Sequence, residues 1–237
     1  LNIYNSVSSE WDETVCGGGV WWNTDHKYKN AITNELFLLT SAVGYQLTRQ
    51  QSYLDNANKA WAWLYNSGMR NSDGLWNDGL DSNCRNNGEN TWTYNQGVIA
   101  SGLGALASIT SNKTLLEEAE LTMDAAVIHL TVDGFVKEIC DDATHSTCDG
   151  DSVYEQGLMM KHWQYYLDFA ADSARTAKYS AFSSKQSEGA LRSKTPDNDI
   201  GSNWYTTTGS LISVQSTTAG LEAIIAAAKV SSISNDR

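Results

Sequence analysis

The sequence predicts an all-α chain built as a ring of helical hairpins, and three observations predict it. The first is an internal repeat. Asn34, Asn95 and Gln156 each stand at the head of a long helical pattern, 61 residues apart, and the same step reaches Thr217 at the head of a fourth. The second is periodicity: apolar residues recur at helical spacing through most of the chain, and strand-like alternation is nearly absent. The third is composition. A single proline, Pro196, and no Ser/Pro-rich linker in 237 residues fit one large core and one domain spanning residues 1–237.

Each element follows from the repeat. Residues 1–11, ending at Trp11, read as the tail of an outer helix. The first hairpin runs from about Lys29 to Leu47, turns at residues 48–51 and returns from Ser52 to Asn66, with Gly68 as its stop. Leu36, Leu39, Val43 and Leu47 give its first helix the spacing of an amphipathic face. The second hairpin runs from Thr93 to Ser108 and returns from Thr114 to Leu130. The third runs from Val153 to Asp172 and returns from Ala177 to Arg192, and the fourth segment covers Gln215–Val230. The opening helices are rich in small residues (Ala100, Ser101, Gly102, Gly104, Ala105), which suits close packing at a crowded centre. The return helices carry more charge, such as Glu117, Glu118 and Glu120. An inner ring wrapped by an outer ring is the expected architecture. Six hairpins would close such a toroid and about three and a half are present. Counting back from Asn34 places a further unit about 28 residues before Leu1, so the toroid is expected to be incomplete at its N-terminus.

The net charge of −12 and a pI near 4.6 argue against a nucleic-acid partner, which needs a basic patch. No apolar run approaches the ~18 residues of a membrane span. The four cysteines lack zinc-site spacing, so disulfides are expected: Cys140 and Cys148 bracket a short polar loop, and Cys16 and Cys84 each lie in a Gly/Asn-rich loop. That implies an oxidising compartment, and Leu1, which is not an initiator methionine, fits a mature or trimmed secreted chain. Asn112-Lys113-Thr114 is a glycosylation sequon at a helix–helix turn.

Four long Gly/Asn/Asp/Trp loops (Cys16–Tyr28, Met69–Asn90, Asp133–Ser152 and Pro196–Ser213) each precede an inner helix. All four therefore fall at one end of the scaffold, where sites are usually built. Gly17-Gly18-Gly19 delivers Trp21 and Trp22, whose flat indoles suit the C–H faces of sugars, with glycines that allow close backbone approach. A tight turn with one Trp buried is the alternative. Tyr94, Asn95 and Gln96 cluster at the head of the second inner helix, with Asn30, Asn34 and Glu35 at the matching place in the first. Amides, phenols and a carboxylate converging on an axis suit hydroxyl recognition, against the alternative of internal caps. Asp141-Asp142 is an adjacent carboxylate pair, expected to be held out at the rim by Cys140–Cys148 closure and so poorly placed for catalysis. The spacing there fits neither DDxxD nor an EF-hand, and the four histidines form no HExxH or triad grouping, so no metal is expected.

Cys16-Gly17-Gly18-Gly19-Val20-Trp21-Trp22, then Lys29-Asn30-Ala31-Ile32-Thr33-Asn34-Glu35-Leu36-Phe37, then Trp92-Thr93-Tyr94-Asn95-Gln96-Gly97, in that order, resemble glycoside hydrolase family 76, and its fungal Dfg5/Dcw1 branch in particular. The resemblance implies an (α/α)6 toroid, retaining endo-cleavage of α-1,6-mannan, no cofactor, and a mannan polysaccharide or mannose-rich glycan as partner of a monomer. It also implies a catalytic Asp-Asp pair upstream of Leu1. Trp21, Trp22, Asn30, Asn34, Glu35, Tyr94, Asn95 and Gln96 would then line the mannan cleft, with no catalytic residue in this chain. Tyr154-Glu155-Gln156-Gly157-Leu158 departs from the Phe-Lys-Gly-Ile pattern expected in the third hairpin. A transglycosylase acting on wall glycans, or a mannan-binding wall protein without activity, are the alternatives.

Overall fold

The computed structural model describes residues 2–144 and 146–235. His145, one of the four histidines considered above, lies outside the described residues. The helices are α1 (Asn2–Ser9), α2 (Ala31–Thr48), α3 (Gln51–Asn66), α4 (Thr93–Thr110), α5 (Thr114–His129), α6 (Ser152–Ala170), α7 (Ser173–Arg192) and α8 (Val214–Asn235). Between α5 and α6, β1 (Thr131–Val132) and β2 (Phe135–Val136) form a small antiparallel hairpin pairing Thr131 with Val136. No described helix is long and apolar enough to cross a membrane.

The inner row is α2, α4, α6 and α8, each packed on the next, and α3 backs α2 while α5 backs α4. Helix α7 leans mainly on α8, although Tyr179 still meets Trp163 of α6 edge-on at 5.1 Å. Helix α1 lies outside, where Tyr4 stacks on Phe37 and bonds Ser41 at 2.8 Å. Glycine sets the spacing of the inner row. A Cβ on Gly97 would lie 2.7 Å from the Met159 Cα, and one on Gly157 would lie 2.3 Å from the Ala219 Cα, so these backbones touch.

Helices α2, α4 and α6 end alike, on Arg49, Ser111 and Ala171 in the left-handed region, with each N–H returning to the carbonyl four residues back. That stop reverses the chain in two or three residues and keeps this end of the scaffold tight. The long connections are left to the opposite end.

The 61-residue step has a direct structural meaning. In a row of parallel helices, residues one repeat apart sit at the same height on neighbours, so they touch. His162 Nδ1 and Ser101 Oγ lie 2.8 Å apart, Lys161 pairs with Glu222 at 2.9 Å, and Lys229 pairs with Asp168 at 3.3 Å.

The amphipathic stripe expected on α2 is only half buried. Leu39 belongs to the core and Val43 packs against it, but Leu36 is 41% exposed and Leu47 79%, while Asn34, Glu35, Phe37, Leu38, Ser41 and Ala42 are buried as well. Helix α2 ends the inner row and is enclosed by α1, α3 and α4, so burial follows those contacts instead. Leu39, Val43 and Leu47 line an open apolar trough of about 520 Å³ with Tyr165 and Phe169 of α6.

Candidate functional site

The long loops share one end of the scaffold, and buried polar side chains pin them there. Asn34 Oδ1 accepts the Val20 N–H at 2.7 Å, and its Nδ2 donates to the carbonyls of Val20 and Asn30. Gln96 repeats the device one loop on: its Oε1 accepts the Trp76 N–H at 2.8 Å, and its Nε2 donates to the carbonyls of Trp76 and Trp92. Gln186 holds Val136 and Gly134 similarly, and Gln156 donates to the Ser202 carbonyl. A primary amide suits this task because it offers a donor and an acceptor side by side, matching one residue's N–H and C=O.

Charge and covalent bonds complete the frame. Lys29 is 2% exposed, and its ammonium donates to the carbonyls of Asp12, Val15 and Gly18 at 2.6, 2.6 and 2.7 Å, with the Trp21 ring centroid 4.5 Å away. Disulfides join Cys16 to Cys84 and Cys140 to Cys148, as expected from the sequence. The first ties two consecutive loops together.

These contacts revise the sequence reading of the eight candidate residues. Asn34 and Gln96 do not face a cleft; both are fully buried and every polar atom is bonded to backbone. Asn30 is the cap of α2, accepting the Thr33 N–H at 3.3 Å. Glu35 and Asn95 are also fully buried, and neither has a hydrogen-bond partner. They cannot touch substrate without a rearrangement of the helices around them. The remaining three are accessible. Trp22 is 59% exposed, Trp21 is half-buried and stacks on His26 at 5.6 Å, and Tyr94 is half-buried.

The three accessible residues line two separate cavities. Trp21 and Trp22 border one of about 320 Å³ with Ser6, Glu10 and Thr24. Tyr94 borders another of about 290 Å³ with Asp151, Tyr154, Glu155 and Gln215. The glycines before the tryptophans have an internal cause. Gly18 and Gly19 adopt φ of 148° and 96°, and a Cβ on either would come within 2.7 Å of the Trp63 ring, whose Nε1 donates to the Cys16 carbonyl. The backbone they bring close is their own chain's.

Carboxyl groups gather near Tyr94. Burial, with Asp78 nearby, holds the Glu35 carboxyl well above its ordinary range. Burial pushes Glu138 up to about 7 although its Oε1 accepts the Thr93 N–H at 2.8 Å, and pushes Asp141 up to about 6. Glu155 is pushed up to about 9, first by burial and then by Glu138, Asp149, Asp78 and Asp151. The Tyr94 phenol is raised as well, by burial and by the same group of carboxylates.

Asp141 and Asp142 split. The Cys140–Cys148 loop does not stand wholly at the rim: Asp141 is 2% exposed and bonded to Ser146 and Ser202, while Asp142 is exposed and accepts from Thr144 in a local turn. Among the described residues no three His, Cys, Asp or Glu side chains group as a metal site. Burial lowers the His162 imidazole to about 4, so it is neutral beside Ser101. Sequence reasoning passed over Glu155, yet Tyr94 advanced by one repeat of 61 lands on it. That step would have found it.

A family model described as glycosyl hydrolase family 76 matches residues 1–234. The chain is 32% identical over 162 residues to mannan endo-1,6-alpha-mannosidase DFG5 of Saccharomyces cerevisiae, covering 63% of this chain and 34% of that protein. It is 30% identical over 135 residues to mannan endo-1,6-alpha-mannosidase DCW1 of Candida albicans, covering 50% and 30%. Matches to curated relatives thus span between 30% and 41% of their length. Among solved structures, the α-1,6-mannanase GH76A of Salegentibacter sp. HEL1_6 matches with a TM-score of 0.82 at 21% identity, over 97% of this chain and 68% of that one. Dfg5 from Chaetomium thermophilum, in complex with glucosamine, gives 0.82 at 18% identity over 97% and 60%. The helical toroid is thus the shared scaffold, and with the family model matched along nearly its whole length the chain belongs to glycosyl hydrolase family 76.

Proposed function

We propose that this chain is part of an endo-acting glycosidase that cleaves α-1,6-mannan with retention of configuration, outside the cell or at the cell wall. The family match over residues 1–234 carries the reading. The names of the yeast relatives support the substrate, and the two disulfides support an oxidising compartment. All 237 residues belong to one toroid domain, acting as a monomer. Retaining cleavage needs a protonated acid and an ionised nucleophile about 5 Å apart. Asp141 and Asp142 do not supply them, because one is buried in loop contacts and the other is turned to solvent. The catalytic pair is assigned to chain outside these 237 residues, and the role given to this portion is to bind glycan through Trp21, Trp22 and Tyr94.

The test is full-length protein incubated with α-1,6-mannan oligosaccharides, with products resolved by size and anomeric form. Shorter products of α configuration are expected. Longer saccharides would mean transfer to sugar in place of water, and tight binding with no new product would overturn the enzyme reading. Trp22→Ala should weaken oligosaccharide binding by ~1–3 kcal/mol if the indole stacks on sugar.

A further inference from the structure

The turn between α4 and α5 lies at the end of the scaffold opposite the long loops, and it carries the chain's one Asn-X-Ser/Thr triplet, Asn112-Lys113-Thr114. Nothing in the repeat requires asparagine here, since the matching positions are Gln51 and Ser173, which open α3 and α7. Ser111 ends α4 in the left-handed region, and residues 111–114 are all exposed. The Asn112 amide uses only one of its two polar atoms. Its Oδ1 accepts the Thr114 N–H at 3.1 Å, while its Nδ2 makes no hydrogen bond among the described residues. N-glycosylation replaces one hydrogen on Nδ2 and keeps the carbonyl oxygen, so the folded turn is compatible with the change. Beside Asn112 is an open hollow of about 420 Å³ that reaches across to Ala171, between α6 and α7. Leu116, Phe169 and Ala170 give it apolar surface, and Ser111 and Lys113 give it polar edges. An N-acetylhexosamine offers the complement: a C–H face and an acetamide methyl for the one, hydroxyls for the other.

We infer that Asn112 is an attachment site for an N-linked glycan, and that the first N-acetylhexosamine of this glycan lies in the hollow against Leu116 and Phe169. In the transfer, Nδ2 bonds to the anomeric carbon of a lipid-pyrophosphate-linked oligosaccharide. The anomeric C–O bond breaks, the lipid pyrophosphate leaves with its electron pair, and Nδ2 gives up one proton. The disulfides Cys16–Cys84 and Cys140–Cys148 point to the same secretory compartment that such a donor requires. A sugar seated here covers apolar surface where α4 meets α6, which otherwise faces water. It also stands at the far end from the long loops, so the loop end stays open to a polysaccharide. None of this depends on whether the protein cleaves mannan.

The experiment is peptide mapping by mass spectrometry of full-length protein secreted from a eukaryotic host, comparing wild type, Asn112→Gln, Thr114→Ala and Thr114→Ser. Wild type and Thr114→Ser should carry N-acetylhexosamine on Asn112, and the other two should carry none at this turn. A bare Asn112 in secreted, disulfide-bonded wild type would overturn the inference, whatever the protein does to mannan. Hydrogen exchange on wild type trimmed enzymatically to its first sugar tests the seat. The Ala171 N–H, bonded to the Leu167 carbonyl at 3.1 Å, should exchange about fivefold faster in Asn112→Gln than in the trimmed protein. Equal exchange would overturn the placement of the sugar in the hollow. Should Asn112→Gln fail to fold, Thr114→Ala, which also lacks the glycan, takes its place in the comparison.

Discussion

Substituting Glu138 by Gln should change how the stability of this fold depends on pH. Glu138 is 1% exposed, and its Oε1 accepts the Thr93 N–H at the head of α4. Burial outweighs that hydrogen bond and pushes the carboxyl from 4.5 up to about 7. The unfolded chain releases this proton near 4.5, while the folded chain keeps it until about 7. Stability contributed by the group is therefore complete below pH 4.5 and is lost as pH rises through 7. At ~1.4 kcal/mol per pH unit, the interval from 4.5 to about 7 comes to about 3 kcal/mol. Glutamine keeps a carbonyl oxygen for Thr93 and has nothing to titrate. Urea unfolding of both proteins between pH 4 and pH 8 gives a difference curve in which most other titrations cancel. That curve should move about 3 kcal/mol in favour of the variant, mostly between pH 4.5 and 7. A flat difference would refute the reasoning, since it would mean that Glu138 ionises equally easily in both states.

Three further changes test the frame that holds the loops. Replacing Cys16 and Cys84 by serine opens a link spanning 68 residues and should cost about 4 kcal/mol in denaturant unfolding, against about 2–3 kcal/mol for Cys140 and Cys148, which span 8. Gly157→Ala places a Cβ 2.3 Å from the Ala219 Cα and should cost ~3 kcal/mol and lower Tm, whereas Gly150→Ala, with open space around it, should leave Tm nearly unchanged. Gln96→Leu leaves the Trp76 N–H and C=O unpaired and should cost ~2–4 kcal/mol, with faster amide exchange at Trp76.

Much of the fold could be read from the residues, because repeat length and helical period are properties of the chain itself. Helix boundaries fell within a few residues. The two largest misses were the end of α8, which runs to Asn235 and not Val230, and the start of α7 at Ser173 and not Ala177, where the Asp172 carboxylate accepts the N–H groups of Ala174 and Arg175 and starts the helix earlier. The two disulfides followed from an even number of loop cysteines without zinc-site spacing, and the gathering of loops at one end from each long loop preceding an inner helix. The candidate site was harder. An amide such as Asn34 or Gln96 can bind a sugar hydroxyl or a backbone peptide with the same two atoms, and only the position of Val20 or Trp76 decides between them. The same holds for Gly18 and Gly19, whose near neighbour proved to be Trp63, more than forty residues along the chain. The exposed Leu36 and Leu47 have a third cause: helical period reports that a stripe exists, not which neighbour covers it.

The contacts one repeat apart limit how alike the hairpins can be. If every unit carried the same side chain at a given height, each inner helix would meet its neighbour with a copy of itself. The height that holds Lys161 against Glu222 would then set lysine against lysine or glutamate against glutamate, and the height that holds Asp168 against Lys229 would suffer likewise. At these heights the successive residues are instead Ala100, Lys161 and Glu222, and Ala107, Asp168 and Lys229. A ring assembled from identical copies of one segment could not form either ion pair. Divergence between the hairpins is therefore a condition of this interior, and a design that restored perfect internal symmetry would lose both pairs from the seam between α6 and α8.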